Sequence, residues 1–268
     1  MKKFTEVLTV IIFNVCLLLI SVIAPALFAA SSERFFEKAF DECEMYAVID
    51  SDGIEQRRII YYVGGNENVA ITLSDSQLNE VATHISDYLF DKKDSFALSL
   101  DHVYIIGAGL YDDVSLFGDK AIAHMEDVKE LISAAKCTLI ICTFAAVPLI
   151  AFFIARRKRM SKLLFRYSLR FYGAMLFFAV VFVIVALITA TAKIPFALRL
   201  WKNLHYVIFP FQSKKISASE LSDALTCILT TDFFIYALKY VLFFVFLVAA
   251  LWLISSFLIG RKRQKILS

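Results

Sequence analysis

Signature motifs for hydrolytic chemistry are missing from this sequence. There is no Gly-x-Ser-x-Gly elbow and no His-Glu-x-x-His pair, which removes the familiar serine-hydrolase and zinc-metalloprotease arrangements. Glycine is scarce, at 8 of 268 residues, and nothing follows Gly107 or Gly109 with the spacing of a phosphate-cradling P-loop. The five cysteines, Cys16, Cys43, Cys137, Cys142 and Cys227, are scattered and form no metal-ligand pairing with histidine, so no metal is expected and no cofactor motif is present. Cys43 and Cys227 fall in segments assigned to the exterior below and are read as free thiols rather than a disulfide. Ionisable residues are few inside the long apolar runs, which argues against a transport path.

What the chain has in quantity is apolar surface. Hydrophobic residues make up 59% of it, with 26 Phe and 11 Tyr, and the mean hydropathy is +0.69. Soluble domains hold roughly 45–50% apolar residues, so this is the composition of a membrane protein. The formal net charge of +3 conceals a separation of sign. Residues 31–135 contain 21 of the 25 acidic side chains but only 8 of the 28 basic ones, a net charge of −13. Such a segment is well solvated and repels nucleic acid.

The basic residues lie beside apolar segments and orient them. Lys2 and Lys3 precede the apolar run 7–30, which is broken only by Thr9, Asn14, Ser21 and Pro25 and is long enough for about 30 Å of hydrocarbon. Ala24-Pro25-Ala26 resembles a cleavage site, but the run exceeds the roughly 7–15 residues of a signal-peptide core, so a retained first helix (1–30) is expected. Further spans are expected at 136–155, 171–192 and 233–260. Arg156-Arg157-Lys158-Arg159, with Arg166 and Arg170, marks the 156–170 loop, and Arg261-Lys262-Arg263 marks the 261–268 tail. All of these basic clusters fall on one side, which predicts four transmembrane helices with both termini in the cytoplasm. The expected fold class is an α-helical polytopic membrane protein with a small extracytoplasmic α+β domain over 31–135. A second outer, interfacial segment over 193–232 is rich in aromatics, with Phe196, Trp201, Tyr206, Phe209 and Phe211.

Within the outer domain, residues 46–49 and 58–63 are β-rich runs separated by Asp50-Ser51-Asp52-Gly53, which suggests a hairpin ended by Gly64-Gly65-Asn66. Ser74-Asp75-Ser76-Gln77 has capping-box spacing, and Leu78, Val81, Ala82, Ile85, Tyr88 and Leu89 then recur helically over 75–90. Strands are expected at 96–100 and 103–106. Asp119 can cap a helix with Ile122, Met125, Val128, Leu131 and Ile132 on one side, leading into the second span.

Four histidines, His84, His102, His124 and His205, are all expected outside. His84 falls on the polar side of the 75–90 helix and His102 in a loop, so both read as surface residues. His124 and His205 each lie next to a span. Asp127, three positions after His124, can share its helical face and orient the imidazole, although such pairs also occur simply as solvated surface groups. His205, in Leu204-His205-Tyr206, reads equally as an interfacial residue. Asp232 stands where the fourth span begins, either as its N-cap or as a contact for a cationic group.

The segment Leu116-Phe117-Gly118-Asp119-Lys120-Ala121-Ile122-Ala123-His124-Met125-Glu126-Asp127-Val128-Lys129 resembles the approach to the second span in the bacterial lipoprotein intramolecular transacylase family. The similarity extends to residues 72–89, to Leu204-His205, and to Asp223-Ala224-Leu225 leading into Asp232-Phe233-Phe234. It departs after His205, where a Trp and an acidic-Pro pair usual in that loop are replaced by Phe209-Pro210-Phe211-Gln212. The resemblance implies a multi-pass enzyme of the bacterial cell membrane, with its active site facing the outer leaflet. Its substrate would be the N-terminus of a diacylglyceryl lipoprotein amid membrane lipid, with no cofactor and no nucleic acid. By the same resemblance, His124 and His205 would be the catalytic groups, supported by Asp127, Tyr206 and Asp232. A non-enzymatic membrane sensor, or an accessory protein binding a partner through its acidic outer domain, is the competing reading.

Overall fold

The computed structural model describes residues 2–49, 55–64, 67–191 and 224–261. In chain order the elements begin with α1 (Lys2–Ser31), α2 (Glu33–Glu42), β1 (Val48–Ile49), β2 (Glu55–Gln56), β3 (Ile59–Gly64), β4 (Glu67–Thr72) and α3 (Asp75–Leu89). There follow β5 (Ser99–Leu100), β6 (Val103–Ile105), β7 (Gly109–Tyr111), β8 (Val114–Ser115), α4 (Asp119–Ala155), α5 (Arg157–Thr191), α6 (Ala224–Ile228) and α7 (Thr231–Arg261). Two compact units divide the chain. One comprises Met1–Ala24, Lys136–Phe211 and Leu242–Ser268, and the other Pro25–Ala135 and Gln212–Val241.

Among the described residues, four helices are long and apolar enough to cross a membrane, over Phe4–Ser31, Asp119–Ala155, Lys162–Val181 and Thr231–Leu258. Most of their large apolar side chains face outward, among them Ile141, Phe144, Phe177, Phe178, Phe243 and Phe246. A helix that is apolar on all sides finds the rest of its burial in lipid, where its internal backbone hydrogen bonds need no water. The core of this unit joins Val10, Phe13 and Cys16 of α1 to Cys142, Ala146 and Phe153 of α4 and to Met160 and Leu164 of α5. Phe13 meets Phe153 edge-on at 5.3 Å and Trp252 of α7 at 4.7 Å. The Trp252 indole N–H donates to Ser168 Oγ at 3.0 Å, a polar tie between α7 and α5. The stretch read from sequence as a 156–170 loop is helical from Arg157 onward. The reason is packing: Met160 and Leu164 are buried, so α5 already has an apolar face inside that basic stretch.

The second unit is built around an aromatic core. Ser32 caps α2 by accepting the Phe35 N–H, and the helix buries Phe35, Phe36, Ala39 and Phe40. The capping box of α3 is formed as the spacing predicts, with Ser74 accepting from Gln77 and the Gln77 side chain bonded in return to the Ser74 N–H. Its apolar stripe is buried from Leu78 to Leu89. A four-stranded antiparallel sheet, ordered β3-β4-β6-β7, places Ile60 opposite Ile71, both buried against the core.

The hairpin differs from the expected pairing. Strand β1 pairs with β2, while β3 pairs with β4 in a register that sets Gly64 opposite Glu67. Phe96, expected in a strand, is a fully buried core residue just before β5. From the far end of the chain, Ala224, Leu225 and Ile228 of α6 and Phe233 of α7 join the same core, with Phe233 ring centroids 5.4 Å from Phe36 and 6.1 Å from Phe40.

Removing the Ser74 hydroxyl deprives α3 of its N-terminal acceptor. Ser74→Ala is expected to cost about 1 kcal/mol and Ser74→Gly only a few tenths. Thermal unfolding of the detergent-solubilised protein should resolve the two.

Candidate functional site at the start of the fourth helix

Leu116 and Phe117, both buried, anchor the chain just before α4. The Gly118 carbonyl accepts the Ile122 N–H at 3.1 Å to begin the helix. Asp119 is therefore the first helical residue and not the cap, and its charge opposes the positive end of the helix dipole from inside the first turn. Ala121 and Met125 are buried, and Ile122, Val128 and Ile132 pack against the core as their spacing predicts. Leu131 stands apart from that stripe, at 40% exposure. His124 and Asp127 are half-buried along the margin of the stripe, three positions apart on the helix.

A cluster around the end of α3 holds this stretch. Lys129 forms an ion pair with Asp91 at 3.1 Å, lies 4.5 Å over the Tyr88 ring, and donates to the Lys93 carbonyl at 3.4 Å. Phe96 stacks on Phe117 at 4.5 Å and meets Tyr88 at 5.2 Å. Burial, followed by the charge of Glu126, pushes the Tyr88 hydroxyl upward.

His84 is a correction to the sequence reading. It is 3% exposed, on the buried face of α3 rather than its polar side. Its Nε2 is 3.0 Å from the Phe96 carbonyl oxygen and its Nδ1 is 3.0 Å from Lys93 Nζ. A carbonyl can only accept and an ammonium can only donate, so these partners assign a neutral ring with the proton on Nε2. Burial holds the His84 pKa below the ordinary histidine value, and the Lys93 charge acts in the same direction. A local signal existed. His84 lies three residues after the buried Val81 and four before the buried Tyr88, on the same stripe.

His102 is exposed, as read, with a left-handed φ of 57° and an ion pair to Asp112 that raises its pKa.

At the start of α7, the Phe233 N–H donates to Thr230 Oγ1 at 3.4 Å, so Thr230 takes the capping role considered for Asp232. Asp232 is exposed in the first turn and lines an open cleft of about 650 Å³ with Glu42, Cys43, Glu44, Tyr46, Arg57 and Arg58. The Arg58 guanidinium donates to the Cys43 carbonyl at 3.0 Å, and Tyr46 donates to Asn79 at 2.6 Å. Burial, with the charge of Glu37 next, pushes Tyr46 up to about 12. Burial also raises the Cys43 thiol, with Asp232 as the next cause. Among the sequence-selected groups, His124, Asp127 and Asp232 thus fall in one unit. His205 and Tyr206 lie outside the described residues.

The profile of the lipoprotein intramolecular transacylase family, Lit, matches residues 7–234. The chain belongs to that family of acyltransferases. Its fold is similar to solved structures of the membrane-integral lipoprotein intramolecular transacylase from Bacillus cereus. A variant with one histidine replaced by arginine is 11% identical, with a TM-score of 0.62 over 98% of this chain and 96% of that one. A variant with a histidine replaced by alanine is also 11% identical, with a TM-score of 0.59 over 98% and 97%. A third Bacillus cereus structure is 12% identical, with a TM-score of 0.60 over 98% and 99%. At such identities the likeness carries the fold. No curated protein matches the sequence. The chain is thus a multi-pass membrane member of the Lit family.

The neutral His84 makes stability depend on pH in a defined direction. Unfolded, the ring titrates near its ordinary value of about 6.5, whereas the folded value is lower. Its contribution is complete above about pH 6.5 and is lost as pH falls from there toward the folded value, because only the unfolded chain gains the proton. Between pH 8 and 5, the melting temperature of the wild type should fall more steeply than that of His84→Gln.

Proposed function

We propose that this chain moves the sn-2 acyl chain of a diacylglyceryl lipoprotein onto the α-amino group of the same lipoprotein's N-terminal cysteine. The reading is carried by His124, which stands half-buried at the start of α4 within a segment that resembles the family's. In this transfer the substrate's own amine attacks the ester carbonyl, so the protein supplies proton transfer and charge stabilisation rather than a nucleophile.

The α-ammonium, with a pKa near 8, gives up a proton to an imidazole. The nitrogen–carbonyl bond then forms, the nitrogen of the tetrahedral intermediate gives up its second proton to an imidazole, and the oxyanion collapses with cleavage of the ester carbon–oxygen bond as the departing glyceryl oxygen takes one proton back, the other passing to water. The products are an amide and a free secondary hydroxyl. His124 and His205 share these proton transfers, Asp127 orients His124, and Tyr206 and Asp232 support the substrate. Asp232 suits that role because it is exposed in a cleft that also holds Arg57 and Arg58, where charged or polar groups of a peptide N-terminus find partners of both signs.

The orientation supporting this reading follows the basic clusters: both chain ends and the 156–170 stretch in the cytoplasm, with 31–135 and 193–232 outside. The reaction then takes place at the outer leaflet of the cytoplasmic membrane, where the bilayer holds the acyl chains in place.

Removing the His124 imidazole should lower turnover of a synthetic diacylglyceryl N-terminal peptide by at least about 10²-fold, the scale of a lost acid–base group. Mass spectrometry of the peptide product, run on His124→Ala that elutes as folded protein, makes the comparison. Wild-type turnover in that variant would remove His124 from the chemistry.

A further inference from the structure

The buried imidazole of His84 takes no part in the mechanism above. His84 has both ring nitrogens bonded, and both bonds go to the connection that follows α3. Nε2 is bonded to the carbonyl of Phe96 and Nδ1 to the side chain of Lys93, each at 3.0 Å. Burying an imidazole for packing alone is wasteful, since an unbonded polar group costs about 1–3 kcal/mol. An imidazole with both nitrogens satisfied by one connection instead fixes that connection's path.

The same connection grips α4 on both sides of His124. Before it, the Phe96 ring stacks on Phe117 at 4.5 Å, and both side chains are buried. After it, the Lys93 carbonyl accepts from Lys129 Nζ at 3.4 Å and Asp91 pairs with the same ammonium at 3.1 Å. His124 stands on the turns of α4 between Phe117 and Lys129.

We infer that His84 is a positioning residue, a neutral imidazole that locks the 91–96 connection and thereby sets where the first turns of α4, and His124 with them, come to rest. The inference rests on the proposed transacylase reading for its kinetic consequence, but its structural consequence stands without it. Leucine or methionine at this position would fill the volume and hold neither Phe96 nor Lys93. The charges facing the ring are Glu80 and Asp87 on α3, which favour a proton, and Lys93, which opposes one. Lys129 on α4 is engaged by Asp91.

The test uses the full-length protein in detergent, as wild type, His84→Ala, His84→Gln and Lys93→Met, with two readouts. The first is amide hydrogen exchange over residues 116–125. His84→Ala should raise it about 10-fold, Lys93→Met should raise it less, and His84→Gln, which keeps a donor for the Phe96 carbonyl, should restore most of the protection. The second is steady-state kinetics per folded molecule. There kcat should fall about 10-fold or more in His84→Ala with KM within about 2-fold, because a displaced acid–base group costs rate rather than binding. If His84→Ala fails to fold, Lys93→Met decides on the same readouts. Wild-type exchange over 116–125 in the variants overturns the inference. So does a loss of activity that only tracks the amount of folded protein. If the wild type does not convert diacyl peptide at all, the transacylase reading falls while the exchange comparison still decides the role of His84.

Discussion

A helix that crosses hydrocarbon cannot break, because nothing there replaces its backbone hydrogen bonds. α4 obeys this over its 37 residues, from Asp119 to Ala155. The same helix has to present polar residues in its first turns and only apolar ones further on. Its polar start is consequently held by side chains: Leu116 and Phe117 just before it, Ala121 and Met125 beneath it, and Lys129 reaching to the end of α3. A histidine placed there gains a fixed position from soluble-domain packing within a helix that also serves as a membrane span.

That packing draws on distant parts of the sequence. The core beneath α4 collects Phe35 to Phe40 from α2, the stripe of α3, Phe96, and α6 with Phe233 from near the other end of the chain. Closing so long a loop costs entropy that only burial of large aromatic side chains repays. The arrangement makes this second unit a joint product of two segments that the apolar helices separate in sequence. It also places Asp232, from the later segment, in a cleft lined otherwise by residues of the earlier one.

The features legible in the sequence were those with local causes. Length and hydropathy point to the four apolar helices found among the described residues, with the third running over Lys162–Val181 and so beginning before the expected 171, and the Ser74–Gln77 spacing marks the α3 start because a capping box closes within one turn. Strand β4 escapes the sequence reading, which pairs 58–63 with 46–49 and stops at Gly64, because Glu67 and Asn68 interrupt the apolar pattern of its first half. His84 was misplaced because its burial is decided by Phe96 and Lys93, residues beyond the helix it belongs to. Asp232 is read as the cap of α7, but the cap is Thr230, because the helix starts one residue before Asp232 and its third N–H reaches back to Thr230. His124 was legible as a candidate from its motif, while its half-buried setting came only from the packing around it.

The central claim is that this chain rearranges an acyl group already carried by a lipoprotein. The most direct measurement is the N-terminal lipid state of lipoproteins from one bacterial host with and without expression of the chain, read by mass spectrometry of the released N-terminal peptides. Without the chain the N-terminus is expected to carry a diglyceride. With it, an isomer of equal mass carrying one amide-linked and one ester-linked acyl group is expected. Identical N-termini in both strains, with the protein inserted and folded, would contradict it.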